Sequence, residues 1–178
     1  MMAGPPAPME LLMKQTSLEV GQPVPLPHLK AVSSNGIQDL DLSVFLKGKR
    51  VIVFGVPGAF TPLCSEKHVP SFMSHASSFH QKGIDHVVCV SVNDPFVLAA
   101  WKRTLGADDS ILFVADGNGT WVKSMGLTFD GSAFGLGERA KRFAMLLDDG
   151  ILKMLEVEET PGTCGATSGE SFLNTVRD

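Results

Sequence analysis

The stretch Val51–Phe72, VIVFGVPGAFTPLCSEKHVPSF, decides how the chain is read. Val51–Val56 is a continuous apolar, β-branched run, the pattern of a strand buried on both faces. Pro57-Gly58 ends it and Pro62 stiffens the turn. From Ser65 to Gln81, apolar residues recur at Val69, Phe72, Met73, Ala76 and Phe79. That spacing predicts an amphipathic helix over Ser65–Gln81, with Pro70 expected to kink it. A single cysteine, Cys64, stands where strand gives way to helix.

Downstream, the alternation repeats. His86–Val92 reads as a second buried strand, and Asn93-Asp94-Pro95 opens a helix to about Leu105. Ile111–Ala115 reads as a third strand, and the Gly117–Gly119 turn leads into a short helix ending at Met125. Asp148-Asp149-Gly150, between Phe143–Leu147 and Ile151–Val157, is the strongest hairpin signal in the chain. A last helix covers about Ser168–Val176. Upstream lie a hairpin around Asn35-Gly36 and a turn at Lys47–Lys49. The order predicts an α/β fold, a central mixed β-sheet flanked by helices on both faces. Residues 21–178 read as a single domain and residues 1–20 as a flexible lead-in. That lead-in has neither the basic start and apolar stretch of a signal peptide nor the Arg-rich character of a transit peptide.

The totals bound the function. The chain has 178 residues, 44% hydrophobic and 19% charged, enough for one compact domain with a core. A formal charge of -4 gives no electrostatic reason to expect nucleic acid as a partner. No apolar run approaches the roughly 18 residues of a membrane span, so no membrane partner is expected. Three cysteines do not make a disulfide framework; they point to a reducing compartment, the cytoplasm, with an organelle such as the mitochondrion as the other candidate.

Several chemistries compete for Cys64. A phosphate loop needs a Gly-Lys-Ser/Thr ending, and GVPGAFTPLCS lacks it. A cysteine phosphatase loop needs an Arg shortly after the Cys, and residues 65–70 hold none. A thioredoxin-type pair needs a second Cys at position 67, which is Lys. Metal binding could draw on Cys64 and His68, but His86 and Cys89, three apart on a strand, point to opposite faces. No metal or other cofactor is expected. Two readings stay open: a buried cysteine that only packs, and a thiol made reactive by the positive end of a helix. For the second, Thr61 supplies a hydroxyl that both donates and accepts, and Pro57 can wall the sulfur off from bulk water.

PGAFTPLC, with Pro57, Thr61 and Cys64, resembles the Pro-x-x-x-Thr-x-x-Cys motif of the peroxiredoxins. VSVNDPFVLAAW, FVADGNGTW and GLGERAKRFAMLLDDG extend the resemblance from about Val20 to Val176, toward the atypical type II, peroxiredoxin-5-like branch. It implies a thioredoxin-like fold and a thiol peroxidase that reduces hydrogen peroxide, organic hydroperoxides and often peroxynitrite. Cys64 takes the place of the peroxidatic cysteine and forms a sulfenic acid. Thr61 takes that of the peroxide-binding hydroxyl, Pro57 that of the shield and Arg142 that of the active-site cation. For Arg142 the alternative is a surface charge on a strand end, the reading given to Arg139 and Lys141.

Two cysteines are candidates to resolve Cys64: Cys89, in a buried strand, and Cys164, on a Gly-rich loop expected to be mobile and favoured on access. Direct resolution by an external thiol stays open beside them. His68 either lines the pocket or is a partly exposed helix residue, and Trp101 lines the rim or the core. The implied partners are peroxides, a reductant (thioredoxin, glutaredoxin or glutathione) and a second copy in a homodimer, with Phe134-Gly135 near its face. A second reading of the same fold is a peroxide sensor, redox relay or chaperone-like binding protein with little turnover.

Overall fold

The computed structural model describes residues 18–177. β1 (His28–Ser33) and β2 (Gly36–Asp41) form the hairpin around Asn35-Gly36. A one-turn helix, α1 (Leu42–Phe45), follows, capped by Asp41, which accepts from Ser43 N. β3 (Arg50–Val56) is the apolar run of the opening stretch. Then come α2 (Val69–Gln81), β4 (His86–Ser91), α3 (Pro95–Leu105), β5 (Leu112–Ala115) and α4 (Thr120–Ser124). A ribbon of β6 (Thr128–Asp130) and β7 (Glu138–Ala140) precedes the hairpin β8 (Phe143–Asp148) and β9 (Ile151–Val157). α5 (Gly169–Thr175) is the last helix. Asp94 caps α3 by accepting from Val97 N at 2.8 Å, with Pro95 in the first turn where its missing N–H costs nothing. The ribbon went unread because three-residue strands are too short for alternation to register.

The seven-stranded sheet has the order β2-β1-β5-β4-β3-β8-β9. β3, β4 and β5 run parallel at its centre, and the outer pairs are antiparallel, so the sheet is mixed as expected. Alternate residues feed two cores. Ile52, Phe54, Val56, Val87 and Cys89 face one layer with Val69, Phe72 and Phe79 of α2, Leu98 and Trp101 of α3, and Phe172 of α5. Val51, Val53, Val88 and Val90 face the other with Leu42 of α1 and Trp121 and Val122 of α4. Helices therefore cover both faces, the thioredoxin-like arrangement. Phe54 and Phe72 stack at a centroid separation of 4.0 Å and 3° between planes. Each such buried ring contributes about 1.5–3 kcal/mol, and an aromatic pair about 0.5–1.5 kcal/mol more.

Of the expected lead-in, residues 1–17 lie outside the described residues. Leu18 packs against the second core, and Gly21 N donates to Leu152 O at 2.8 Å.

α5 meets α2 at a close approach. Gly169 N donates to Ser71 Oγ at 2.8 Å, and a Cβ on Gly169 would run into the Ser71 carbonyl. Backbone cannot yield as a flexible side chain can. Gly169→Ala should therefore lower stability by about 1–3 kcal/mol, read as a lower urea midpoint with unchanged m. An unmoved midpoint would contradict the contact.

Candidate active site

β3 ends at the centre of the sheet and hands the chain to loop 57–61, after which residues 62 and 63 begin a helix. Cys64 then opens a π-helical turn, Cys64–His68, closed by Val69 N donating to Cys64 O. The cause stands next in sequence. Pro70 has no N–H to give, and its ring crowds the carbonyl four residues back, so the turn before it widens. The expected kink is thus a π-turn. It buries both Cys64 and His68 completely.

Arg142, between β7 and β8, is only 2% exposed, so the surface-charge reading does not hold. Its Nη2 donates to Cys64 Sγ at 3.3 Å and to Pro161 O at 3.0 Å; Nε also donates to Pro161 O, at 3.3 Å. Nη1 lies 2.8 Å from His68 Nδ1, and His68 Nε2 lies 2.9 Å from Thr167 O. A guanidinium cannot accept and a carbonyl cannot donate, which settles the imidazole: Nδ1 accepts and Nε2 carries the proton. Burial, with the Arg142 charge beside it, pushes the His68 pKa down to about 3. A neutral His68 therefore holds the guanidinium on the sulfur without competing as a cation. Phe54 and Phe72 flank the imidazole at 5.1 and 5.6 Å between centroids.

The loop above is fixed from three sides. Thr61 Oγ1 donates to Gly58 O at 2.6 Å, which leaves its oxygen free to accept. Ala59 N donates to Asn93 Oδ1 at 2.9 Å. Arg139 donates from Nη1 to Pro57 O at 3.1 Å and from Nε to Leu136 O at 2.9 Å. A Cβ on residue 58 would come within 2.3 Å of this Nη1, so Gly58 leaves room for it. Arg139 is thus a loop anchor and not the free surface charge read from the sequence. The loop contacts of Asn93 and Arg139 carried no sequence signal, because each crosses between distant segments. Trp101 is core, and its Nε1 donates to Ser65 Oγ at 2.9 Å, one residue from Cys64.

The other two cysteines differ. Cys89 is buried in β4 between Phe54 and Phe113 of the neighbouring strands, and burial pushes its thiol well up. Cys164 is half-buried; burial raises its pKa, and the Arg142 charge opposes that. Its loop is not loose. Glu158 Oε2 accepts from Gly165 N at 2.8 Å, Thr167 N at 3.0 Å and Thr167 Oγ1 at 2.8 Å, while Oε1 accepts from Thr163 Oγ1 at 3.1 Å. Those bonds hold the Glu158 carboxyl below its usual range against the desolvation that would raise it. Glu158, a carboxylate that the sequence did not single out, gathers these four hydrogen bonds from the loop.

The redoxin family's sequence pattern matches residues 19–171. Peroxiredoxin-2F, mitochondrial, of Arabidopsis thaliana is 47% identical over 135 residues, covering 76% of this chain and 67% of its own length. Peroxiredoxin-2B of the same plant is 44% identical over 160 residues, covering 89% and 98%. Among solved structures, the reduced Prx3 of Vibrio vulnificus in complex with hydrogen peroxide aligns with a TM-score of 0.81 at 37% identity, covering 88% of this chain and 98% of that one.

The neutral His68 makes folding pH-dependent. Unfolded, it titrates near 6.5; folded, near 3, so between those values the unfolded chain holds the extra proton. Its stabilising contribution is complete above pH 6.5 and drains away as pH falls toward 3, by up to about 1.4 kcal/mol per unit. His68→Gln should flatten the acid limb of unfolding free energy against pH by about one proton. Parallel limbs would contradict a neutral His68.

Proposed function

The chain belongs to the peroxiredoxins of the redoxin family, and from that premise we propose that Cys64 is its peroxidatic cysteine, served by Arg142, Thr61 and Pro57. The protein is a thiol-dependent peroxidase; peroxides are its substrates, and thiols reduce it again. One observation carries the residue assignment: the buried Arg142 guanidinium points at the Cys64 sulfur, and no carboxylate among the described residues forms an ion pair with it. A buried cation without an anion is costly, and anionic sulfur is the partner that offsets the cost.

The chemistry follows from the atoms. Cys64 sulfur attacks one peroxide oxygen in line. The S–O bond forms as the O–O bond breaks, and the departing oxygen takes the bonding pair and, from solvent, one proton, equal to that released when the thiol ionised, to leave as water or alcohol. The Arg142 N–H groups stabilise the charge that builds on the oxygens, and the Thr61 oxygen accepts from the peroxide hydroxyl. Pro57, buried at the loop's start, keeps bulk water from the sulfur. The product is the Cys64 sulfenic acid.

Cys164 is the favoured resolving cysteine, because its loop hangs on side-chain hydrogen bonds, whereas Cys89 would have to leave the middle of a sheet. Thioredoxin, glutaredoxin and glutathione are the candidate reductants. A homodimer fits three exposed rings, Phe134 at 77%, Phe96 at 74% and Phe60 at 51%. All three sit on segments tied to the active-site loop, through Arg139 and Asn93. Phe60 holds its position at a φ of 65°, a strain of about 1–3 kcal/mol for a non-glycine residue. Three free cysteines suit the cytoplasm, and a relative bearing a mitochondrial name keeps an organelle open.

Cys64→Ser should abolish peroxide consumption with any thiol reductant, and retained turnover would remove Cys64 from the chemistry. Arg142→Ala should slow Cys64 oxidation by about 10²–10³-fold; a loss under tenfold would deny it that role. Phe134→Asp should shift the sedimentation of a dimer to that of a monomer, and an unaltered dimer would place the interface elsewhere.

A further inference from the structure

β8 and β9 end side by side, and each end carries a charged residue with a job. Glu158 N donates to Arg142 O at 2.9 Å, so the two residues face each other across the last rung of the ladder. Arg142 reaches inward to Cys64 and outward to Pro161 O. Glu158 reaches over the next segment and gathers four hydrogen bonds from Thr163, Gly165 and Thr167, the residues around Cys164. At the far end, Thr167 O accepts from His68. The loop that bears Cys164 is thus fastened to the active site at Pro161 and Thr167, and along its length by one carboxylate.

We propose that Glu158 is a positioning residue that clasps the Cys164 loop closed and sets how fast the oxidised Cys64 is resolved. The proposal rests on the reading of Cys64 as peroxidatic and Cys164 as resolving. In that step Cys164 sulfur attacks the sulfenic sulfur, the S–S bond forms, the S–O bond breaks, and the hydroxyl leaves with the thiol proton as water. Cys64 is wholly buried, Cys164 is only partly exposed, and both are free thiols in the closed loop, so the segment that carries Cys164 has to move for the two sulfurs to bond. The step therefore needs the loop to let go. The hydrogen bonds that Glu158 accepts resist this. The lowered pKa of Glu158 agrees with a carboxylate held by those donors. A tight clasp slows resolution and leaves the sulfenic acid exposed to a second peroxide, which carries it to sulfinic acid.

Two readouts test this on the full chain. In the reduced protein, alkylation of Cys164 should quicken about tenfold or more in Glu158→Ala, several-fold in Glu158→Gln, whose amide oxygen still accepts, and as in Ala for the shorter Glu158→Asp. The urea midpoints of the three variants separate this from general loosening, since only the Cys164 rate should follow the order of acceptors. After a peroxide pulse, mass spectrometry should find more Cys64–Cys164 disulfide and less Cys64 sulfinic acid in Glu158→Ala than in wild type. Equal Cys164 alkylation in all four proteins would overturn the clasp. A wild type that forms no Cys64–Cys164 disulfide, with alkylation still graded, would overturn the resolving role of Cys164 and with it the control of resolution.

Discussion

A guanidinium buried with no carboxylate paired to it among the described residues is the constraint on which the rest of this structure depends. Arg142 satisfies its donors with one sulfur, one imidazole and one carbonyl. None of these takes on its charge unless the sulfur is anionic. The neighbourhood is built around that need: His68 is kept neutral so that it can accept, its other nitrogen is fixed on Thr167 O, and Phe54 and Phe72 hold the ring in place. A protonated His68 would lose its acceptor and set a second cation against the first.

The fold supplies this arrangement by ending several elements at one place. β3 delivers the loop, the π-turn before Pro70 turns Cys64 and His68 inward, and the entry to β8 brings Arg142 from far along the chain. The parallel centre of the sheet, buried on both faces, makes the platform rigid. The segment that carries Cys164 lies outside the sheet and is held by side-chain bonds to Glu158.

Much of this was legible in the sequence, for reasons that can be named. β3, β4 and β8 announce themselves because strands buried on both faces leave apolar runs, and Asp94-Pro95 and Asp149-Gly150 mark boundaries by their own conformational preferences. The Pro57, Thr61 and Cys64 spacing could be read because it is local, and Arg142 only through family resemblance. What escaped is of another kind. Arg139, Asn93 and Glu158 act across chain crossings, where no local pattern predicts which carbonyl or amide will be met. The glycines around Cys164 suggested freedom because backbone permissiveness is visible in a sequence, whereas a carboxylate gathering four donors is not. Pro70 shows the intermediate case: the disturbance was predictable, but its form, a widened turn in a continuing helix, was set by what the helix must bury.

The central claim is that the Arg142 contact gives one of three thiols its chemistry. The most direct measurement is to add less than one equivalent of hydrogen peroxide to the reduced protein, trap sulfenic acid at once, and locate it by mass spectrometry. The account predicts label on Cys64 alone in the wild type, with that preference lost in Arg142→Ala. Label spread evenly over Cys64, Cys89 and Cys164 in the wild type, or an undiminished preference for Cys64 without Arg142, would contradict it.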